Sequence, residues 1–174
     1  MKTYVLAGGC FWCIDAVLRR LKGVQESVCG YAGGTAASAS YYTVASGTTE
    51  HAEAVSVTFD ESVLPADTLL DIFFLIHNPT TLNRQGADSG PQYRSAMFYA
   101  DAAQQHKFVD AAERASQHWD DPIVTQMSPL EAFYDAESEH QDYFNNNPTN
   151  GYCSIVIEPK IVKARREYAD YFRE

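Results

Sequence analysis

Cys10 stands in the run Ala7-Gly8-Gly9-Cys10-Phe11-Trp12-Cys13, after a strand-like stretch and two glycines and at the start of a helix-like one. A helix start leaves backbone N–H groups unpaired and carries the positive end of the macrodipole, and both favour thiolate over thiol. Phe11 and Trp12 follow directly and offer an apolar surface beside the sulfur. A reactive thiolate against an aromatic wall points to redox or acyl-transfer chemistry rather than to packing. Cys13 completes a Cys-x-x-Cys pair, which serves thioredoxin-like exchange, half of a zinc site, or nothing. Zinc needs two further ligands at a defined spacing, and Cys29 and Cys153 are isolated, so exchange fits the strand–turn–helix setting better. Cys29, inside a strand-like run, reads as a small buried hydrophobe. Cys153, in Gly151-Tyr152-Cys153 after a polar run, is either a surface cysteine or a thiol able to reach a distant partner.

Other polar and aromatic groups exceed what packing needs. Tyr41-Tyr42 precedes His51-Ala52-Glu53, and Glu53 opens an otherwise apolar strand. A carboxyl there is ordinarily solvated; desolvated, its pKa rises and it becomes a proton donor. Asp88 and Tyr93 fall in Gln85–Ser95, where a long loop enters a strand, and a loop aspartate usually caps a turn. His140-Gln141-Asp142-Tyr143-Phe144 reads as core or capping, and the five histidines show no metal-ligand spacing such as His-x-x-x-His.

Alternating α and β patterns position these groups. Thr3–Ala7, Val24–Tyr31, Glu53–Phe59, Ser95–Ala100 and Ile123–Met127 read as strands, and Cys153–Ile157 as a last one. Phe11–Leu21, Ala66–Ile76 and Ala102–Trp119 read as helices, with a short helix near Glu137–Phe144. The stretch Asn78–Gln92 is too polar for core and too long for a plain connector, the usual profile of a functional loop. Residues 161–172 read as a helix or a draped tail.

With 174 residues, 45% of them hydrophobic and 21% charged, the chain is long enough to bury one core without disulfides. A net charge of −10 argues against nucleic acid or an anionic membrane as partner. There is no leader-like N-terminus and no apolar run near membrane-spanning length, so the expectation is a cytoplasmic protein. No composition shift marks a linker. The expectation is one catalytic domain over residues 1–174, with residues 145–174 more irregular.

Taken in order, the motifs resemble the peptide methionine sulfoxide reductase A family. Gly9-Cys10-Phe11-Trp12 resembles its active-site signature. Gly30-Tyr31-Ala32-Gly33-Gly34, Tyr41 with Gly47 and Thr49, and His51-Ala52-Glu53-Ala54-Val55 follow in that family's order. So do Pro79–Gly86, Asp88, Gln92-Tyr93-Arg94-Ser95, His140-Gln141-Asp142-Tyr143 and Gly151-Tyr152-Cys153, so that the resemblance runs from Gly8 to about Lys160.

The resemblance implies an α/β (α+β) fold, a mixed sheet with flanking helices of ferredoxin-like or α-β roll type. It implies reduction of methionine-S-sulfoxide, free or in oxidised proteins, without metal or cofactor, by a monomer. In it Cys10 is the nucleophile, Phe11 and Trp12 hold the substrate methyl group, and Glu53 protonates the sulfoxide oxygen. Tyr41 and Tyr93 donate hydrogen bonds to that oxygen, and Asp88 orients the substrate main chain. Cys10 is left as a sulfenic acid, which condenses with a thiol to a disulfide. The resemblance assigns this resolving role to Cys153, with Cys13, standing where many members have glycine, as the alternative. Thioredoxin or a similar dithiol then reduces the disulfide. Outside the resemblance, a thioredoxin-like disulfide oxidoreductase using Cys10 and Cys13, or a small metal-binding module, stays open. Glu50 replaces a glycine of the family's pattern, which predicts backbone strain if φ there is positive, and a further rise in the pKa of Glu53.

Overall fold

Alternation along the first strand sets the plan of the molecule: Tyr4 and Leu6 join a large core on one face, Val5 and Ala7 a small one on the other. A computed structural model describes the whole chain, residues 1–174. In chain order it comprises β1 (Lys2–Gly8), α1 (Phe11–Leu18), β2 (Val24–Ala32), α2 (Tyr41–Ala45), β3 (Ala52–Phe59), α3 (Ala66–Leu75), β4 (Arg84–Gln85) and β5 (Asp88–Ser89). Then come β6 (Ser95–Tyr99), α4 (Ala102–Ser116), β7 (Gln126–Pro129), β8 (Phe133–Asp135), α5 (Tyr143–Asn146) and α6 (Glu158–Glu167).

Six strands form one sheet in the order β7-β6-β1-β3-β2-β8. The inner four, β6-β1-β3-β2, are antiparallel neighbours with α1 and α3 as crossovers, which is the ferredoxin-like arrangement. At one edge β7 adds parallel to β6, and at the other β8 adds antiparallel to β2. Leu6, Cys29, Tyr31, Val55, Val57 and Phe59 face the helices, where Ile14, Val17, Leu70 and Phe73 close over them. Each such fully buried large side chain contributes about 1.5–3 kcal/mol. The opposite face carries Ala32, Ala52, Ala54 and Ala96 under Leu130 and Phe133, small side chains that let a single segment cover the sheet closely.

A buried ion-pair cluster ties α1 to β2. The Asp15 carboxylate, 1% exposed, accepts hydrogen bonds from Ser27 Oγ at 2.6 Å and Arg19 Nη2 at 3.0 Å. Gln141 binds both backbone groups of Cys29, accepting from its N–H at 2.8 Å and donating to its carbonyl at 2.9 Å.

Several elements differ from the sequence pattern. Residues 153–157 are not a strand: they form a π-helical turn leading directly into α6. Their β-branched residues favour a strand locally, but Cys153, Ile157, Ile161 and Ala164 recur at helical spacing and are buried together, while Ile155 points to solvent. Pro159 accounts for the wide turn, since it has no N–H to donate and its ring crowds the carbonyl four residues back. Residues 145–174 are accordingly more regular than expected. The chain end is no draped tail either: Phe172 is buried and bridges to Leu21, and Arg173 N–H donates to Arg20 O at 2.9 Å. The helix expected near Glu137–Phe144 is split into a 3-10 turn, Ser138–His140, and α5, because Asp142 takes a positive φ of 51° between them. The strand expected at Ile123–Met127 lies a little later, at β7, and the stretch 78–92 contains the β4–β5 ribbon.

Candidate active site

The turn from β1 into α1 is built by close approach. A Cβ on Gly8 would lie 2.8 Å from the His77 ring, and Gly9 has a φ of +96°, which disfavours any side chain. His77 is fixed by the Phe73 carbonyl at 2.6 Å and Ser95 Oγ at 2.8 Å, and burial lowers its pKa to about 3, so it stays neutral. Gln85 caps the same turn and accepts from Asn78 N–H at 2.9 Å, which pins the 78–92 segment over the site.

Cys10 follows as the residue preceding the first helical turn of α1. The helix start does not acidify it as the sequence predicts. The Phe11 N–H is taken by Glu53 Oε1 at 3.1 Å and the Cys13 N–H by the Cys10 carbonyl at 3.0 Å, leaving the Trp12 N–H to favour the sulfur's charge. Burial outweighs that single amide, and the hydrogen bond to Cys13 and nearby negative charge add to it. The Cys10 thiol is raised well above its ordinary 9.0. Cys13 moves the other way, to about 7, chiefly through the hydrogen bond from Cys10, helped by Lys160 and the Tyr152 hydroxyl and opposed by burial. Within the pair, burial favours the proton on Cys10 and the hydrogen bond from Cys10 favours the charge on Cys13.

Glu53 shares the helix-facing side of β3 with Val55, Val57 and Phe59, and it pairs with Tyr31 across β2. It is 2% exposed, and burial lifts its carboxyl from 4.5 to about 8, against the Phe11 hydrogen bond and with help from Asp88 and Cys13. Glu50 does not contribute to that rise and has no positive φ; its carbonyl accepts from Arg94 Nη2 at 2.8 Å.

Aromatic side chains wall the site. Trp12 stacks on Tyr143 with ring centroids 3.6 Å apart and planes 4° apart, and its indole N–H donates to His140 Nδ1 at 3.2 Å. That bond sets the tautomer of His140, which burial keeps neutral and which stacks on Tyr41 at 4.3 Å. Glu137 holds Tyr41 in turn, accepting from its N–H at 2.9 Å and from Tyr31 Oη at 2.8 Å.

Cys10, Phe11, Trp12, Tyr41, Glu53, Asp88 and Tyr93 thus line one cavity of about 180 Å³, although α1, α2, β3, β5 and a 3-10 turn supply them. Tyr152 is the eighth lining residue, a position for which the sequence predicts no role. Its hydroxyl donates to Asp88 Oδ2 at 2.9 Å and lies 3.6 Å from Cys13 Sγ. Its one sequence signal was an aromatic beside Cys153 after a polar run. Cys153 does not line the cavity; it is fully buried in the π turn, and burial and the charge of Cys13 raise its pKa. Cys29 is buried behind Phe11, donates weakly to its carbonyl at 3.7 Å, and is pushed well up by burial. No three His, Cys, Asp or Glu side chains are grouped so as to hold a metal ion.

Two thiols with divided proton affinity, a protonated buried carboxyl and an aromatic cavity on a ferredoxin-like sheet define a cysteine-dependent oxidoreductase. Comparisons with known proteins give the class its family. The family model for peptide methionine sulfoxide reductase matches residues 2–171. The chain is 57% identical over 173 residues to peptide methionine sulfoxide reductase MsrA of Clavibacter michiganensis, covering 99% of each. Mxr1 of Saccharomyces cerevisiae in reduced form superposes with a TM-score of 0.82 at 36% identity, over 87% of this chain and 88% of that one. Mxr1 in complex with Trx2 superposes with a TM-score of 0.58 at 28% identity, over 82% and 84%. The chain belongs to the peptide methionine sulfoxide reductase A family, and it reduces methionine sulfoxide. That membership does not favour the disulfide-oxidoreductase or metal-module readings.

Proposed function

We propose that Cys10 attacks the sulfoxide sulfur while Glu53, as the acid, donates its proton to the sulfoxide oxygen. A sulfoxide oxygen leaves poorly until protonated, and a carboxyl with a pKa of about 8 still holds its proton at neutral pH. The observation that carries the reading is the hydrogen bond between the buried Glu53 carboxyl and the Phe11 N–H, which fixes the acid one residue from the nucleophile in the same cavity. Cys10 becomes nucleophilic by passing its proton to Cys13. Phe11 and Trp12 bracket the methyl group, Tyr41 and Tyr93 bind the oxygen, and Asp88 orients the main chain of the substrate. Free methionine sulfoxide and oxidised polypeptides both satisfy these contacts.

The oxygen passes to Cys10 as a sulfenic acid, which a second thiol converts to a disulfide with release of water. Of the two candidates, the placement of the side chains supports Cys13, which is hydrogen-bonded to Cys10, ahead of the fully buried Cys153. Cys153 keeps a place as the thiol to which Cys13 passes the disulfide once the helix start opens. Thioredoxin is the reductant by analogy with Mxr1, whose structure includes a complex with Trx2. The cycle needs a dithiol supply, which fits a monomeric single-domain enzyme of the cytoplasm. No helix is long and apolar enough to cross a membrane.

The test is a set of cysteine variants under single-turnover conditions. Cys10→Ser should release no methionine. Cys13→Ser should release one methionine per enzyme, more slowly because Cys10 has lost its proton acceptor, and then stall with a trapped sulfenic acid. Cys153→Ser should form the first disulfide normally and slow only thioredoxin-driven cycling. A Cys13→Ser enzyme that forms its disulfide at the original rate returns the resolving role to Cys153.

A further inference from the structure

The resolving step releases one proton that needs a path. When Cys13 attacks the Cys10 sulfenic acid it must lose its own proton, and the group that chiefly acidifies it in the resting enzyme, the Cys10 thiol, no longer exists. The thiol on Cys13 then needs a base of its own. Around it stand Tyr152 at 3.6 Å, Asp88 beyond the phenol, and Lys160, Glu53 and Cys153 at longer range. Tyr152 alone touches it and leads elsewhere: its single hydroxyl proton is directed at Asp88 Oδ2, 2.9 Å away. In the resting enzyme that hydroxyl favours the charge on Cys13; once Cys13 is a thiol, the phenol oxygen, with its proton directed at Asp88, is left to accept from the Cys13 S–H.

We propose that Tyr152 and Asp88 form a proton relay for the resolving step, in which the Cys13 thiol gives its proton to the Tyr152 oxygen as the Tyr152 hydroxyl proton passes to Asp88. The proposal rests on the assignment of Cys13 as the resolving thiol. As the Cys13 Sγ–Cys10 Sγ bond forms, the S–O bond of the sulfenic acid breaks. The oxygen keeps its hydrogen, takes a second from the Glu53 carboxyl, which has regained from solvent the proton it gave to the sulfoxide, and leaves as water. Sulfenic acid and thiol are consumed, disulfide and water are produced, and no outside oxidant or reductant takes part. Glu53 ends ionised and Asp88 protonated, and exchange with solvent restores both. Tyr152 is therefore a positioning and relay residue of the second half-reaction, and its chain neighbour Cys153 cannot leave the helix without withdrawing it from Cys13.

The experiment is a single turnover of the full chain with methionine sulfoxide and no reductant, with methionine release and sulfenic-acid lifetime (trapped by dimedone) followed separately across pH. In Tyr152→Phe the sulfenic acid should persist at least about tenfold longer than in the wild type, and its decay should shift to higher pH, where solvent base replaces the relay. Asp88→Asn, which keeps the shape but cannot take the proton, should lengthen the lifetime in the same direction and guards against a folding defect in the first variant. Wild-type lifetime and pH profile in both variants would overturn the relay, as would a wild-type first disulfide joining Cys10 to Cys153. A wild-type enzyme that releases no methionine at all overturns the proposed function beneath it as well.

Discussion

Glu53 shows how one residue's environment turns a common side chain into a proton holder at neutral pH. A glutamate at the start of an apolar strand is legible in the sequence; that it is buried is not. Burial follows from its neighbours, because Glu53 shares a face with Val55 and Val57 and lies across from Tyr31, under the first turn of α1. Its proton is held up to about pH 8, so the methionine-forming step should fall as pH rises through that value, read from single-turnover rates. Glu53→Gln should slow that step by about 10²–10⁴-fold, the usual contribution of a positioned acid. Cys10 does stand at a helix start, as its sequence setting predicts, but that start does not acidify it. The sequence places Cys10 at a helix start, but which amides face its sulfur depends on Glu53 and on the Cys10 carbonyl, both set by tertiary packing. Tyr152 is not legible for the same reason: nothing local connects it with Cys13, 139 residues away.

At the scale of elements, the inner four strands of the sheet and the three long helices were legible because their periodicity and their glycine breaks agree with their burial, whereas the edge strand β8, three residues long, shows no such pattern. The C-terminal helix was not, since its β-branched start argues locally for a strand while its buried spacing argues for a helix, and packing against α1 decides. Two junctions carry the site. Asp15 joins α1 to β2, and its removal leaves Ser27 and part of Arg19 unpaired in a buried place, so Asp15→Ala should lower stability by about 2–4 kcal/mol in denaturant titration. Gly8 joins β1 to α3 through His77. Gly8→Ala sets a methyl against that ring and should cost about 1–3 kcal/mol, with lost reductase activity because Cys10 moves with the turn.

For the whole molecule, the site is held together at a thermodynamic cost. Glu53 has a raised pKa in the folded protein, so between about pH 4.5 and pH 8 unfolding releases its proton and stability falls as pH rises. Glu53→Gln should therefore be more stable than the wild type, and the gap in denaturation midpoint should widen from pH 5 to pH 8. His77 acts at the other end: its depressed pKa means that unfolding takes up a proton below about pH 6.5, so its contribution is lost as pH falls toward 3. The alanine-rich face of the sheet, the helix-covered face and the clasped chain end all serve to bring eight side chains from six separate stretches of the chain around a cavity of about 180 Å³. The most direct test of the central claim is a single turnover of the wild-type enzyme with the separated S and R epimers of methionine sulfoxide, without reductant. The account predicts one methionine per enzyme from the S epimer, none from the R epimer, and a disulfide that contains Cys10. Turnover of neither epimer, or a burst that survives Cys10→Ser, would contradict it.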